Sequence, residues 1–241
     1  KIDASMHSIF EHLKTHRKWP QLAAIENQSV IERQDDDRVG LLKENGITDV
    51  AEAKDQEQDT GLATFVDTNV AVTSLTATAN RINSEFQQHL RTVLSRFGDF
   101  RAGPTKTVQR CQSKLENEYH DAQYPKAAKL LDLVRCSVSF NTVEQLLAGY
   151  QGLMHYVKTT SDSFEVARIK NDFLDKDAAF RAIKVSVVFH SETDPLSQLS
   201  MICEVQLILN QYLHEKKRIH KLYAILREKP YFDAVVKEED A

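Results

Sequence analysis

Three stretches in the second half of the chain alternate apolar and polar residues with a period of two, and this restricts the fold more than any other feature. Val134, Cys136, Val138 and Phe140 alternate with Arg135, Ser137 and Ser139. Ile183, Val185, Val187 and Phe189 alternate with Lys184 and Ser186, and Cys203, Val205, Leu207 and Leu209 alternate with Glu204 and Gln206. Successive side chains of a strand point to opposite faces, so each stretch predicts a strand with one apolar and one polar side. Residues 164–173 predict a further strand. The plain consequence is a sheet with helices on its apolar face and water on the other, which requires no function at all.

The rest of the chain reads as helix. Leu75, Ala79, Ile82, Phe86, Leu90, Val93 and Phe97 recur at steps of three and four, so 62–97 predicts a long amphipathic helix, ended by Gly98, Gly103 and Pro104. A second helix is expected over about 105–119, with a loop at 121–125, and a third up to Tyr156 begins after Thr142, a residue suited to cap it. Residues 1–26 carry a helical stripe interrupted near Trp19-Pro20 and predict a short helical arm. The stretch 28–60, rich in Asp, Glu and Gln, predicts a solvated acidic connector with one short helix at 49–53. The domain boundary is placed there, giving an arm and connector over 1–60 and a main domain over 61–241. A last basic helix is expected over 210–227. The expected class is α+β, with a mixed sheet of four or five strands and helices mainly on one face.

A chain of 241 residues with 41% hydrophobic content can bury a real core. Its formal net charge of -4 argues against bulk, sequence-blind nucleic-acid binding but leaves room for a local basic groove. Cys111, Cys136 and Cys203 are odd in number and far apart, so they predict reduced residues and a reducing, cytoplasmic setting. No apolar run has the length of a membrane span. The first residue is Lys1 rather than Met, which predicts a piece of a longer protein with flanking domains.

The polar faces of the strands are not generic. Arg135 and Ser137, Lys184 and Ser186, and Glu204 and Gln206 would set acids beside bases on one floor, and Arg168 and Lys170 would point to it from the strand at 164–173. Asp132, in LLDLVRCSVSF, and Glu204, in MICEVQLIL, are lone carboxylates in apolar runs. Such a group loses hydration unless a cation or donor replaces it, and a shared divalent metal would serve both. In GPTKTVQRCQSK, Lys106, Arg110 and Lys114 fall at steps of four, so a helix would project all three along one face with no acid among them. An anion such as a triphosphate near the helix N-terminus would relieve their repulsion; a solvated cationic face is the bland alternative. No phosphate-binding glycine loop, zinc spacing or serine nucleophile elbow occurs.

In this order the blocks resemble the RelA/SpoT family of alarmone synthetases, over about 103–227. Lys106 and Lys114 match the family's pair of lysines two turns apart, with Arg110 at the intervening turn. Asp132-Leu133-Val134 is similar to its strand-borne aspartate block, although Arg135 stands where the family has a small residue. Lys170-Asn171-Asp172-Phe173 and Ala179-Phe180 resemble its Lys-Asp-Tyr and Asn-Gly-Tyr segment, and Glu204-Val205-Gln206 its Glu-x-Gln strand. Phe180 keeps an aromatic face but lacks the hydroxyl of the family's tyrosine.

The resemblance implies a nucleotidyltransferase-like fold and transfer of a pyrophosphate group from ATP to a nucleotide ribose hydroxyl, as in (p)ppGpp synthesis. It implies Mg²⁺ on Asp132 and Glu204, with Glu204 also assisting deprotonation of the acceptor. Lys106, Arg110, Lys114, Arg135, Arg168, Lys170, Lys184 and Gln206 would bind substrate, and Phe180 would stack on the acceptor base. His120-Asp121 is a dipeptide that metal hydrolases also use, but it falls in a loop without further ligands. Two other readings stand beside this one: a non-catalytic nucleotide sensor or protein-binding module, and the same chemistry directed at an adenine nucleotide or an RNA end.

Overall fold

A computed structural model describes residues 2–39, 42, 66–175, 177–178, 180–192 and 199–215. The chain opens with α1 (Ile2–Lys14) and α2 (Trp19–Ala23), in which Pro20 sits in the first turn, where its missing N–H costs nothing. The two-residue β1 (Gln28–Ser29) follows. After a π-helical turn at Val66–Ala71 comes the long α3 (Val72–Leu94), then β2 (Asp99–Ala102), α4 (Val108–Asn117) and a 3-10 turn at Lys126–Lys129. The remainder is β3 (Arg135–Phe140), α5 (Val143–Thr159), β4 (Phe164–Asn171), β5 (Ile183–His190) and β6 (Ser200–Leu209).

The six strands form one mixed sheet in the order β1-β4-β5-β6-β3-β2. All neighbours are antiparallel except β3 and β6, which run parallel, Arg135 opposite Glu204 and Phe140 opposite Leu209. The long periodic helix packs on the apolar face through Phe86, whose ring lies 6.3 Å from that of Phe164 and 5.6 Å from that of Phe189. On the same face α5 approaches β3 at Gly149, where an added Cβ would come within 2.6 Å of the Phe140 ring. Its N-terminus is capped as the sequence predicts, Thr142 Oγ1 accepting from the Gln145 N–H at 3.2 Å.

Several expectations are corrected. The sheet has six strands rather than four or five, because β1 and β2 are short and carry almost no alternation. The second helix starts at Val108, so Lys106 precedes its cap, Thr107. The polar face is not simply turned to water: Ser186 and Glu204 are buried, and the same face continues as Val188 and Ile202, both fully buried. Residues 28–39 are not a solvated connector. Val30 and Ile31 N–H groups both reach the Ala167 carbonyl, Arg38 pairs with Glu165, and Gln34 is fully buried.

Gln34 replaces a strand. Beyond the start of β3, its side-chain amide donates to the Ile202 carbonyl at 3.0 Å and accepts from the Ile202 N–H at 2.9 Å. The expected short helix at 49–53 lies outside the described residues. Of the expected C-terminal helix, 210–215 is helical and the rest lies outside them too.

Candidate functional site

The pairing register decides which side chains share the floor. Arg168 lies opposite Ser186, Lys170 opposite Lys184, Ser186 opposite Glu204, and Lys184 opposite Gln206. On the other side of β6, Arg135 lies opposite Glu204 and Ser137 opposite Gln206. Cross-strand partners project to one side of a sheet, so these residues form one polar surface, as the alternation predicts.

Facing it are the end of α4 and the segment that leads into β3. Between them lies a cavity of about 350 Å³ lined by Asp132, Glu204, Arg168, Lys170, Lys184, Gln206, Lys114, Glu118, Tyr119 and Leu131. The two acids distant in sequence thus meet in one space. A neighbouring cavity of about 610 Å³ is lined by Lys106, Arg110, Arg135, Gln109, Ser113 and Asn117, and shares Lys114 and Glu118 with the first. The Gly103 N–H bonds the Arg135 carbonyl at 3.0 Å, an approach so close that a Cβ on Gly103 would fall 2.5 Å from that oxygen.

The lysine stripe does carry an acidic partner, contrary to its reading in sequence. Lys106 Nζ lies 2.5 Å from one Asp132 oxygen and Lys114 Nζ 3.2 Å from the other. Burial works against ionising Asp132, but the two ammonium groups outweigh it and hold its pKa at about 2 against an ordinary 3.8. The two lysines respond differently. Burial dominates at Lys106, 7% exposed and close to Lys114 and Arg135, and lowers its pKa. At Lys114 burial also opposes the charge, yet Asp132, Tyr119 and Glu118 together raise the pKa.

A second carboxylate of this kind lies in the Lys170-Asn171-Asp172-Phe173 segment, where the sequence reading assigns it no role of its own. Asp172, 3% exposed, lies 3.3 Å from Lys170 Nζ and 2.8 Å from Lys184 Nζ. It is pinned at the base of the β4–β5 hairpin by its N–H bond to the Ala182 carbonyl. Each side of the floor therefore has one acid holding two lysines. The polar-face hydroxyl of Ser186 is fully buried and makes no hydrogen bond among the described residues.

Phe180 is partly buried against the core and lines neither cavity; Ala179 lies outside the described residues. His120 and Asp121 are exposed, pair with each other at 2.6 Å, and also lie outside both cavities. The three cysteines are buried and free. Among the described residues, no helix is long and apolar enough to cross a membrane.

Mg²⁺ is the metal to weigh against these donors. Among the described residues no three His, Cys, Asp or Glu side chains converge. Two carboxylates in one cavity would supply the hard oxygen ligands that suit Mg²⁺ rather than a closed zinc site. Asp132 and Glu204 fit that role by type. Glu204 already accepts from Gln206 at 2.6 Å, which orients it.

The mixed sheet and its helices form a fold shared with known structures. The small alarmone synthetase 1 of Bacillus subtilis superposes with a TM-score of 0.53 at 11% sequence identity, over 63% of this chain and 78% of that one. The same synthetase bound to its product pppGpp superposes with a TM-score of 0.52, also at 11% identity, over 62% and 78% of the two chains. The chain has the fold of the small alarmone synthetases, as the resemblance of its motifs implies. No protein-family model matches the sequence, and no curated protein matches it.

Proposed function

We propose that the protein transfers a pyrophosphate or phosphoryl group from ATP to a ribose hydroxyl of a second nucleotide. One observation carries the proposal: Asp132 and Glu204, 72 positions apart in sequence by their numbers, line one cavity with Lys114, Arg168, Lys170 and Lys184. In the proposed reaction the acceptor hydroxyl oxygen attacks the β-phosphorus of ATP, the bond from that phosphorus to the oxygen of the α-phosphate breaks, and AMP leaves with the electron pair. Glu204 takes the hydroxyl proton. Lys106, Arg110, Lys114 and Arg135 on one side and Arg168, Lys170 and Lys184 on the other balance the charge on the phosphates.

Asp132 and Glu204 would hold Mg²⁺, which supplies neutralisation of the phosphate oxygens. Catalysis of this kind consists of positioning and charge, with no covalent enzyme intermediate. Lys106, Lys114, Lys170 and Lys184 have carboxylate partners that a polyphosphate would replace.

A second reading has its own support. Both Asp132 oxygens are engaged by lysines, so this carboxylate has its counter-charges without a metal, as it would in a nucleotide sensor without catalysis. One experiment separates the two readings and identifies the acceptor. Incubation with ATP, Mg²⁺ and a panel of guanine nucleotides, adenine nucleotides and short RNAs, followed by mass spectrometry, is expected to yield AMP and an acceptor heavier by a pyrophosphate. Glu204→Gln is expected to abolish it. ATP binding without any product supports the sensor.

A further inference from the structure

Deepening the nucleotide reading above, on which it rests, we infer that Tyr119 is the stacking surface for the nucleobase. The cavities joined through Lys114 and Glu118 are lined almost wholly by charged and amide side chains, which recognise phosphate and the edges of a base but present no aromatic face for it to stack on. Tyr119 is the one aromatic residue among the described residues lining either cavity, and it lines the smaller one together with Asp132 and the floor cations.

The core fixes one side of the ring, and a base would take the place of the lysine over its face. The ring packs against the core, and Lys114 Nζ lies 5.3 Å from its centroid. Its carbonyl accepts the Ala122 N–H at 3.0 Å, which fixes the backbone after the helix end. A ring fixed before binding costs little entropy when a base stacks on it. A base on Tyr119 would direct its phosphates into the cavity toward Lys114, Arg168, Lys170 and Lys184. Phe180, the aromatic that the sequence offers for this task, lies outside both cavities.

The experiment is calorimetric titration of the full chain with Mg·ATP, Mg·GTP and inorganic tripolyphosphate, which carries the charge without the base. For the wild type, at least one nucleotide is expected to bind more tightly than tripolyphosphate. Tyr119→Leu, which keeps bulk against the core, is expected to weaken that nucleotide about tenfold or more, the usual effect of losing an aromatic partner to a base, while leaving tripolyphosphate unchanged. Tyr119→Phe is expected to bind as the wild type does. Unchanged tripolyphosphate binding also reports that the variant is folded.

Equal losses for nucleotide and tripolyphosphate, or no loss for either, would overturn the stacking role while leaving the nucleotide reading intact. So would a wild type that binds both nucleotides no better than tripolyphosphate. A wild type that binds none of the three would overturn the nucleotide reading itself, and this inference with it.

Discussion

Asp132 has two tasks that pull in different directions. As a candidate metal ligand it must be ionised and reachable; as the partner of Lys106 and Lys114 it neutralises two largely buried cations. Its depressed pKa makes it a source of stability that is complete above its ordinary pKa of 3.8 and is lost as pH falls through about 2. The size is about 2 kcal/mol by linkage. Asp132→Asn is therefore expected to lower stability at pH 7 by about that amount or more, since Lys106 is left facing Lys114 without a counter-charge. Urea unfolding of both proteins at pH 7 and near pH 2.5, about the middle of the transition, should show the difference shrinking in acid. A difference that does not change with pH would remove the ion pairs from this account. That Asp132 is special is legible in sequence, because a lone carboxylate in an apolar run needs a partner. Its partners are not, since Lys106 and Lys114 reach it only through the tertiary fold. Asp172 is hidden for the same reason, as one of its lysines lies on the next strand.

At the level of elements, the strands with strong alternation are readable to within a few residues, and the two missed strands show where alternation fails. In β2 only Phe100 is buried, flanked by Asp99 and Arg101, so four residues yield no periodic signal. In β1 both residues are exposed, so the two of them yield no apolar signal. Gln34 is harder still, because a buried glutamine standing in for a strand looks like one more polar residue in an acidic stretch. Gln34→Leu would leave the Ile202 N–H and the Ile202 and Leu130 carbonyls without their partner. A loss of about 3 kcal/mol in urea unfolding is expected, from the cost of buried unmet polar groups. Gly149→Ala tests the packing on the opposite face. In a free helix alanine would gain about 1 kcal/mol, but here its Cβ would fall 2.6 Å from Phe140. Overpacking costs about 1–3 kcal/mol, so a net decrease in stability is expected. An increase would show that α5 can shift away from β3.

For the whole molecule, the question is whether the helical arm is a separate appendage or part of the main body. Composition suggests a boundary near residue 60, because 28–60 is polar and acidic. The packing of 2–39 points the other way. Met6, Leu13, Leu22, Ile25 and Ile31 belong to the same buried cluster as the strands. Asn171, at the end of β4, is 1% exposed and donates to the Leu22 and Ile25 carbonyls at 2.9 Å each, while the Asn27 side chain accepts from its N–H at 2.7 Å. Removing 1–60 would thus unpair a buried amide, uncover the β4 edge, and strip Gln34 from β6, where no other strand takes its place. An uncovered edge is also a template for aggregation. The fragment 61–241 is therefore expected to show no cooperative unfolding transition and to associate in solution, whereas the full chain unfolds cooperatively. Urea denaturation followed by circular dichroism, with the association state measured by light scattering, checks both. A monomeric 61–241 with a sharp transition would mean that the arm adds to an already complete domain, and the contacts of Asn171 and Gln34 would then be secondary to the fold.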